Sequence, residues 1–138
     1  MDAICVVRNM IRDNYVVGGG GATELSCALK ISKEADEIKG IEQYAVRAFA
    51  DALEEIPMTL AENSGFNSIE YVSKIKKMQV EESSPMIGVD AMSKGTHNMY
   101  EQGIFESVAS KKQQLQLCLL YTSPSPRDLS TSRMPSSA

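Results

Sequence analysis

Four consecutive glycines, Gly18 to Gly21, separate two helix-prone stretches and narrow the folds open to this chain more than any other residues in it. Glycine reaches positive φ without steric cost and lets other groups come close to the main chain. Behind the run, Ala22-Thr23-Glu24 leads into Leu25-Ser26-Cys27-Ala28-Leu29, a helix-forming stretch whose first turn offers N–H donors and the positive end of a dipole. A polar ligand such as a nucleotide fits at such a bend. A glycine run before a helix also serves as a plain turn, so the bend needs other residues beside it to become a site.

Apolar spacing predicts the helices around it. Ile4, Val7, Met10 and Ile11 predict a helix from about Ala3 to Arg12, Tyr15-Val16-Val17 an extended connector, and Ala22 to Ala35 a second helix burying Leu25, Ala28, Leu29 and Ser32 before Lys39-Gly40 stops it. The strongest period is Ile41, Ala45, Ala48, Phe49, Ala52, Leu53 and Ile56, one apolar stripe in which Ala48 and Ala52 permit close helix packing. Pro57 predicts a kink or a new helix start, and Gly65 a stop. Asn67 or Ser68 then caps a helix through Ile69, Val72, Ile75 and Met78. Met86 to Met92 reads as extended, with turns at Lys94-Gly95-Thr96 and Gln102-Gly103, which predicts a small hairpin or irregular loop. A last helix begins near Ser107 and carries Val108, Lys111 and Leu115.

The text changes at Cys118. From there to Ala138 it is rich in Ser and Pro with no apolar period, and no helix is expected beyond Tyr121. Cys118 to Asp128 resembles the translation of a transposase end sequence from sequencing-library preparation, and Ser132 to Ser137 resembles a flow-cell adapter in the same frame. Residues 118–138 are therefore expected to be an artefactual, disordered tail, and residues 1–117 the fold.

A chain of 138 residues with 43% hydrophobic content holds one ordinary core, and a net charge of −4 without a basic face argues against nucleic-acid binding. Lys111-Lys112 and the lysines of 74–77 read as solvated helix faces. Three cysteines without metal-ligand or paired spacing support neither a disulfide framework nor a zinc site. No apolar run approaches about 18 residues and no signal-peptide pattern opens the chain, which predicts a cytoplasmic protein with no membrane partner.

Several of these stretches, in this order, resemble group II chaperonins: Asp2-Ala3-Ile4-Cys5-Val6-Val7-Arg8-Asn9, the glycine run with Ala22-Thr23-Glu24, Phe49-Ala50-Asp51-Ala52-Leu53-Glu54, Leu60-Ala61-Glu62-Asn63-Ser64-Gly65 and Gly88-Val89-Asp90. Ile11-Arg12-Asp13-Asn14, Lys94-Gly95-Thr96 and Lys111-Lys112-Gln113-Gln114 are similar to subunits of the eukaryotic cytosolic type. The resemblance covers nearly all of residues 2–117. It implies a mainly α fold, the C-terminal half of an equatorial ATP-binding domain, built as an incomplete helical bundle with one small β-hairpin. It also implies ATP hydrolysis driving the folding of non-native polypeptides inside a hetero-oligomeric double ring of chaperonin subunits.

The resemblance assigns residues as well. Asp2 matches the family's catalytic aspartate, a carboxylate that orients and deprotonates the water attacking the γ-phosphate. Gly19, Gly20 and Gly21 match the nucleotide-contacting glycines, with the register uncertain by one because Gly18 stands where a side chain is usual. Asp90 and Ala91 match the adenine-side loop, Glu106 the acid reaching the ribose or base edge, and Lys111 lies one helical turn on. The family's Gly-Asp-Gly-Thr-Thr phosphate loop does not occur in the chain. ATP or ADP with Mg2+ is the implied cofactor, the metal ligands are expected from a missing N-terminal part, and the chain alone is expected to be inactive. Two other readings compete: a helical interaction module using the Ala48, Phe49 and Ala52 stripe, and an unrelated nucleotide enzyme using Asp2, the glycines and His97. His97 has no carboxylate at helical spacing and is expected to be an exposed loop residue.

Overall fold

The computed structural model describes residues 2–122. Residues 123–138, most of the Ser-Pro tail, lie outside the described residues. In chain order the elements are α1 (Asp2–Arg12), β1 (Val16–Gly18), α2 (Ala22–Ala35), α3 (Glu42–Asn63), α4 (Ser68–Glu82), α5 (Met99–Gln102), β2 (Phe105–Ser107) and α6 (Val108–Thr122). They divide into two compact units: a smaller one from the chain up to Tyr15 together with Ser107 onward, and a larger one from Val16 to Glu106.

In the smaller unit, α1 carries Asp2 in its first turn and Arg12 in its last, charges that suit the two ends of the helix dipole. The expected periodicity is present, but no α1 residue is buried, and Ile4, Val7 and Ile11 all face solvent. The chain leaving α1 is tied to the start of α6 by Val108 N–H donating to Tyr15 O at 3.1 Å. Helix α6 begins one residue after the expected start and ends at Thr122, so its last turn runs into the segment assigned to the tail.

In the larger unit, α2 has the bounds its periodicity predicted, but Leu29 and Ser32 are only half-buried, while Ala22, Glu24 and Ala35 join Leu25 and Ala28 in the interior. Pro57 does not start a new helix: α3 continues through it for 22 residues. A helix-interior proline removes one backbone hydrogen bond and costs roughly 3 kcal/mol. Here the ring is buried, and the backbone bonds on either side hold the helix through it.

The apolar stripe of α3 is also corrected. The buried positions are Ala50, Leu53, Pro57 and Ala61, the side that packs chiefly on α2 and also on α4. Of the expected stripe only Leu53 is buried and Phe49 half-buried, whereas Ile41, Ala45, Ala48, Ala52 and Ile56 are exposed. This long helix is apolar around more than one face, and periodicity does not say which face meets a neighbour.

Leu25, Ala61, Val72, Ile75, Ile87 and Val89 form the core, flanked by Met58, Leu60, Phe66, Tyr71 and Met78. Asn67 stands at the α4 N-cap as expected, without a side-chain cap bond, and the Ser68 hydroxyl donates to Glu62 Oε1 at 2.8 Å. The fold is mainly helical with one two-stranded antiparallel ribbon. Its strands are β1 and β2, and the 86–98 stretch takes the second of its two expected forms, an irregular loop with a bridge between Ile87 and Asn98.

Candidate functional site

The glycine bend lies where four segments of the larger unit meet. Thr23 Oγ1 donates to Gly18 O at 2.8 Å and Ala22 N–H to Gly19 O at 3.2 Å, folding the bend onto the first turn of α2. Gly19 N–H donates to Ile104 O at 3.0 Å, and Val89 N–H donates to Gly20 O at 2.9 Å. Gly20 and Gly21 have φ of +63° and +77°, left-handed conformations that side-chain-bearing residues adopt at a cost. A Cβ on Gly20 would stand 2.6 Å from Met99 Sδ, and one on Gly21 would stand 2.7 Å from Pro57 Cβ. Packing by the protein's own side chains therefore already requires both glycines.

Helix α2 starts from Gly21 without a side-chain cap, so its positive end has no hydroxyl or carboxylate on the capping residue to occupy it. Glu24, in the same first turn, is buried and engaged with a partner. Glu106 Cγ lies 3.6 Å from where a Cβ on Gly19 would be. The loop after Ile87 touches the bend through Gly88, whose own Cβ would meet Gly20 O at 2.9 Å.

Asp90 is not the solvated loop charge that its sequence context allows: it is 5% exposed. Its carboxylate accepts from Lys94 N–H at 3.0 Å, Gly95 N–H at 2.8 Å and Gln102 Nε2 at 2.9 Å. Burial by itself would raise its pKa, but the Lys94 and Gly95 N–H groups, the Gln102 amide and nearby His97 outweigh that and hold it below the usual carboxylate value. Both carboxylate oxygens are thus committed to shaping the loop. Ala91 beside it is exposed.

The larger unit therefore brings together Gly19, Gly20, Gly21, Asp90, Ala91 and Glu106. Asp2 and Lys111 belong to the smaller unit. Asp2 is exposed in the first turn of α1. Lys111 is not a solvated helix charge: it is buried in α6 and engaged, whereas Lys112 is exposed.

Three residues outside the family-matched set, Gln79, Tyr71 and His97, hold the segments around the bend. Gln79, buried on α4, donates from Nε2 to Ala22 O at 3.0 Å and Ile87 O at 2.6 Å and accepts from Ser26 Oγ at 3.2 Å. It follows Val72 and Ile75 at helical spacing, so the apolar face itself marked it as interior. Tyr71 Oη accepts from Asp90 N–H at 3.2 Å and lies 3.2 Å from His97 Nδ1. His97 is half-buried rather than exposed. Among the described residues no group of three or more His, Cys, Asp or Glu could hold a metal ion. No helix among them is long and apolar enough to cross a membrane.

The model of the TCP-1/cpn60 chaperonin family matches residues 1–122. The chain belongs to that family. It is 40% identical over 116 residues to T-complex protein 1 subunit epsilon of Encephalitozoon cuniculi, covering 84% of this chain and 22% of that protein. It is 43% identical to a thermosome subunit of Methanothermococcus thermolithotrophicus and 45% to thermosome subunit alpha of Methanothermobacter thermautotrophicus, each over 83% of this chain and 21% of the relative. An open-state monomer of a group II chaperonin from Methanococcoides burtonii superposes with a TM-score of 0.75 at 36% identity, over 83% of this chain and 28% of that one. The chain thus spans about a fifth of the length of the curated chaperonin relatives it matches.

Proposed function

We propose that this chaperonin chain forms part of the ATP-binding domain of a subunit that works in a cytoplasmic double ring with other chaperonin subunits and encloses non-native polypeptides. The observation that carries the reading is the Val89 N–H to Gly20 O hydrogen bond: it joins the two segments that the family resemblance assigns to nucleotide, with Glu106 beside Gly19. In this reading the uncapped start of α2 and the bend's main chain receive the phosphates. The Asp90–Ala91 segment meets the base through its backbone and the exposed Ala91 methyl, since the Asp90 carboxylate is already spent on its loop. Glu106 accepts from a ribose hydroxyl or an amine at the base edge. In the complete subunit Asp2 takes the proton of the attacking water.

No Gly-Asp-Gly-Thr-Thr loop occurs in this chain, and the ligands for Mg2+ come from elsewhere in the subunit. The chain alone hydrolyses little ATP. Membership of a chaperonin family argues against both the stand-alone interaction module and the unrelated His97 enzyme.

The test is Asp2→Asn in the complete subunit assembled in its ring. Loss of a general base lowers kcat by about a hundredfold to ten-thousandfold and leaves ATP affinity within a few-fold. Unchanged turnover would remove Asp2 from the mechanism.

A further inference from the structure

Helix α5 is a single turn between the 86–98 loop and β2, and main-chain bonds tie its end to the glycine bend. Gly103, at φ +71°, stops the helix. Ile104 N–H then donates back to Met99 O at 3.0 Å, while Ile104 O accepts from Gly19 N–H at 3.0 Å, and Glu106 follows two residues on. Gln102, the last residue of α5, therefore stands on backbone that is fixed relative to the bend and to Glu106.

From there its side chain reaches back to the loop. Nε2 donates one hydrogen to Asp90 Oδ1 at 2.9 Å and the other to Thr96 O at 2.5 Å, so a single amide group holds both ends of the 90–96 turn. Both partners only accept, which dictates that the nitrogen and not the oxygen faces them. Oε1 is left buried with no hydrogen-bond partner among the described residues. That orphan acceptor is a cost which a methionine of similar length would not carry, and it is set against the two bonds the nitrogen makes. The other ties of the turn lead elsewhere. Asp90 bonds to Lys94 and Gly95 N–H close the turn on itself, Tyr71 holds Asp90 N–H from α4, and the bond from Thr96 Oγ1 to Glu101 Oε2 is exposed, where water competes for it.

We propose that Gln102 is a positioning residue for nucleotide: by clasping Asp90 and Thr96 to the end of α5, it fixes the Asp90–Ala91 segment relative to Glu106, so that the base-side and ribose-side contacts meet one molecule. It touches no ligand itself, because its remaining oxygen is buried, and acts through Asp90 and Thr96. The proposal rests on the nucleotide reading above, in which Ala91 and Glu106 face the same ligand.

Gln102→Met keeps an unbranched side chain and removes both donors together with the orphan oxygen. In NMR of the whole chain the Asp90 carboxyl should then titrate at a higher midpoint, because one of the bonds that hold it low is gone. Amide exchange at Lys94 and Gly95 should quicken about threefold to tenfold, the factor corresponding to one net hydrogen bond, while Ile75 in the core exchanges as before. Equal quickening at Ile75 would mean a general loss of stability, and an unmoved Asp90 midpoint or unmoved exchange at Lys94 and Gly95 would mean that the clasp does not hold the turn. Each of these results overturns the proposal.

Kinetics of the complete subunit in its ring separate the two readings. Gln102→Met should raise KM for ATP about threefold to tenfold and leave kcat within about twofold, the pattern of lost binding without lost chemistry. An unchanged KM in a ring that Asp2→Asn inactivates overturns the positioning role and leaves the nucleotide reading standing. A ring in which neither substitution changes ATP turnover or KM overturns both.

Discussion

Asp90 and Gly21 show how much a single position can depend on distant ones. A carboxylate in the sequence Gly-Val-Asp-Ala reads as a surface loop charge, yet two backbone donors of its own loop, the Gln102 amide on α5 and burial turn it into the anchor of that loop. Its lowered pKa has a definite sign: the stabilisation is fully present above the ordinary carboxylate value of 3.8 and is lost as pH falls through the lower folded value. Urea midpoints measured between pH 5 and pH 2 should therefore fall more steeply for the unmodified chain than for Asp90→Asn, and parallel curves would contradict it. Gly21→Ala combines a left-handed backbone with a contact on Pro57, and should cost about 2–4 kcal/mol in denaturant unfolding. The glycine quartet advertised an unusual backbone, but its neighbours Pro57, Met99 and Ile104 come from other elements, and no local pattern names them.

At the scale of elements, the existence and type of the long helices were legible because 3.6-residue periodicity needs only local residues. Helix α2 was bounded correctly, α1 and the start of α6 within a residue, and the start of α4 at its expected cap, while α4 runs on to Glu82, four residues past the last apolar position that marked it. Which side of α3 goes inside was not legible, since its apolar positions wrap wider than the one contact surface it presents to α2 and α4. The two sides should differ in energetics: Leu53→Ala should cost about 2–4 kcal/mol, and Ile56→Lys should stay within about 0.5 kcal/mol, both read from chemical denaturation. A large loss in Ile56→Lys would mean that the outer stripe is packed after all. Gln79→Leu keeps the volume but leaves the Ile87 carbonyl without its side-chain donor, and should cost about 1–3 kcal/mol. The β1–β2 pairing could not be read in advance because its strands stand at opposite ends of the larger unit, each three residues long. A strand that short carries too little alternation to reveal its partner.

At the scale of the molecule, each of the two units carries large apolar side chains outside its interior. Ile4, Val7 and Ile11 on α1, together with Ile41 and Ile56 on α3, are exposed among the described residues. Light scattering of the isolated chain should show association that grows with concentration, and a monodisperse monomer at high concentration would contradict it. Family membership and the identity of the candidate nucleotide residues came from the order of local motifs, which travel with the sequence whatever surrounds them. The convergence of Gly20, Val89 and Glu106, the burial of Lys111, and the union of Tyr71, His97 and Asp90 were decided only in three dimensions. Each depends on contacts between residues far apart along the chain, and such contacts follow from how whole helices pack, whereas helical periodicity follows from residues three and four apart.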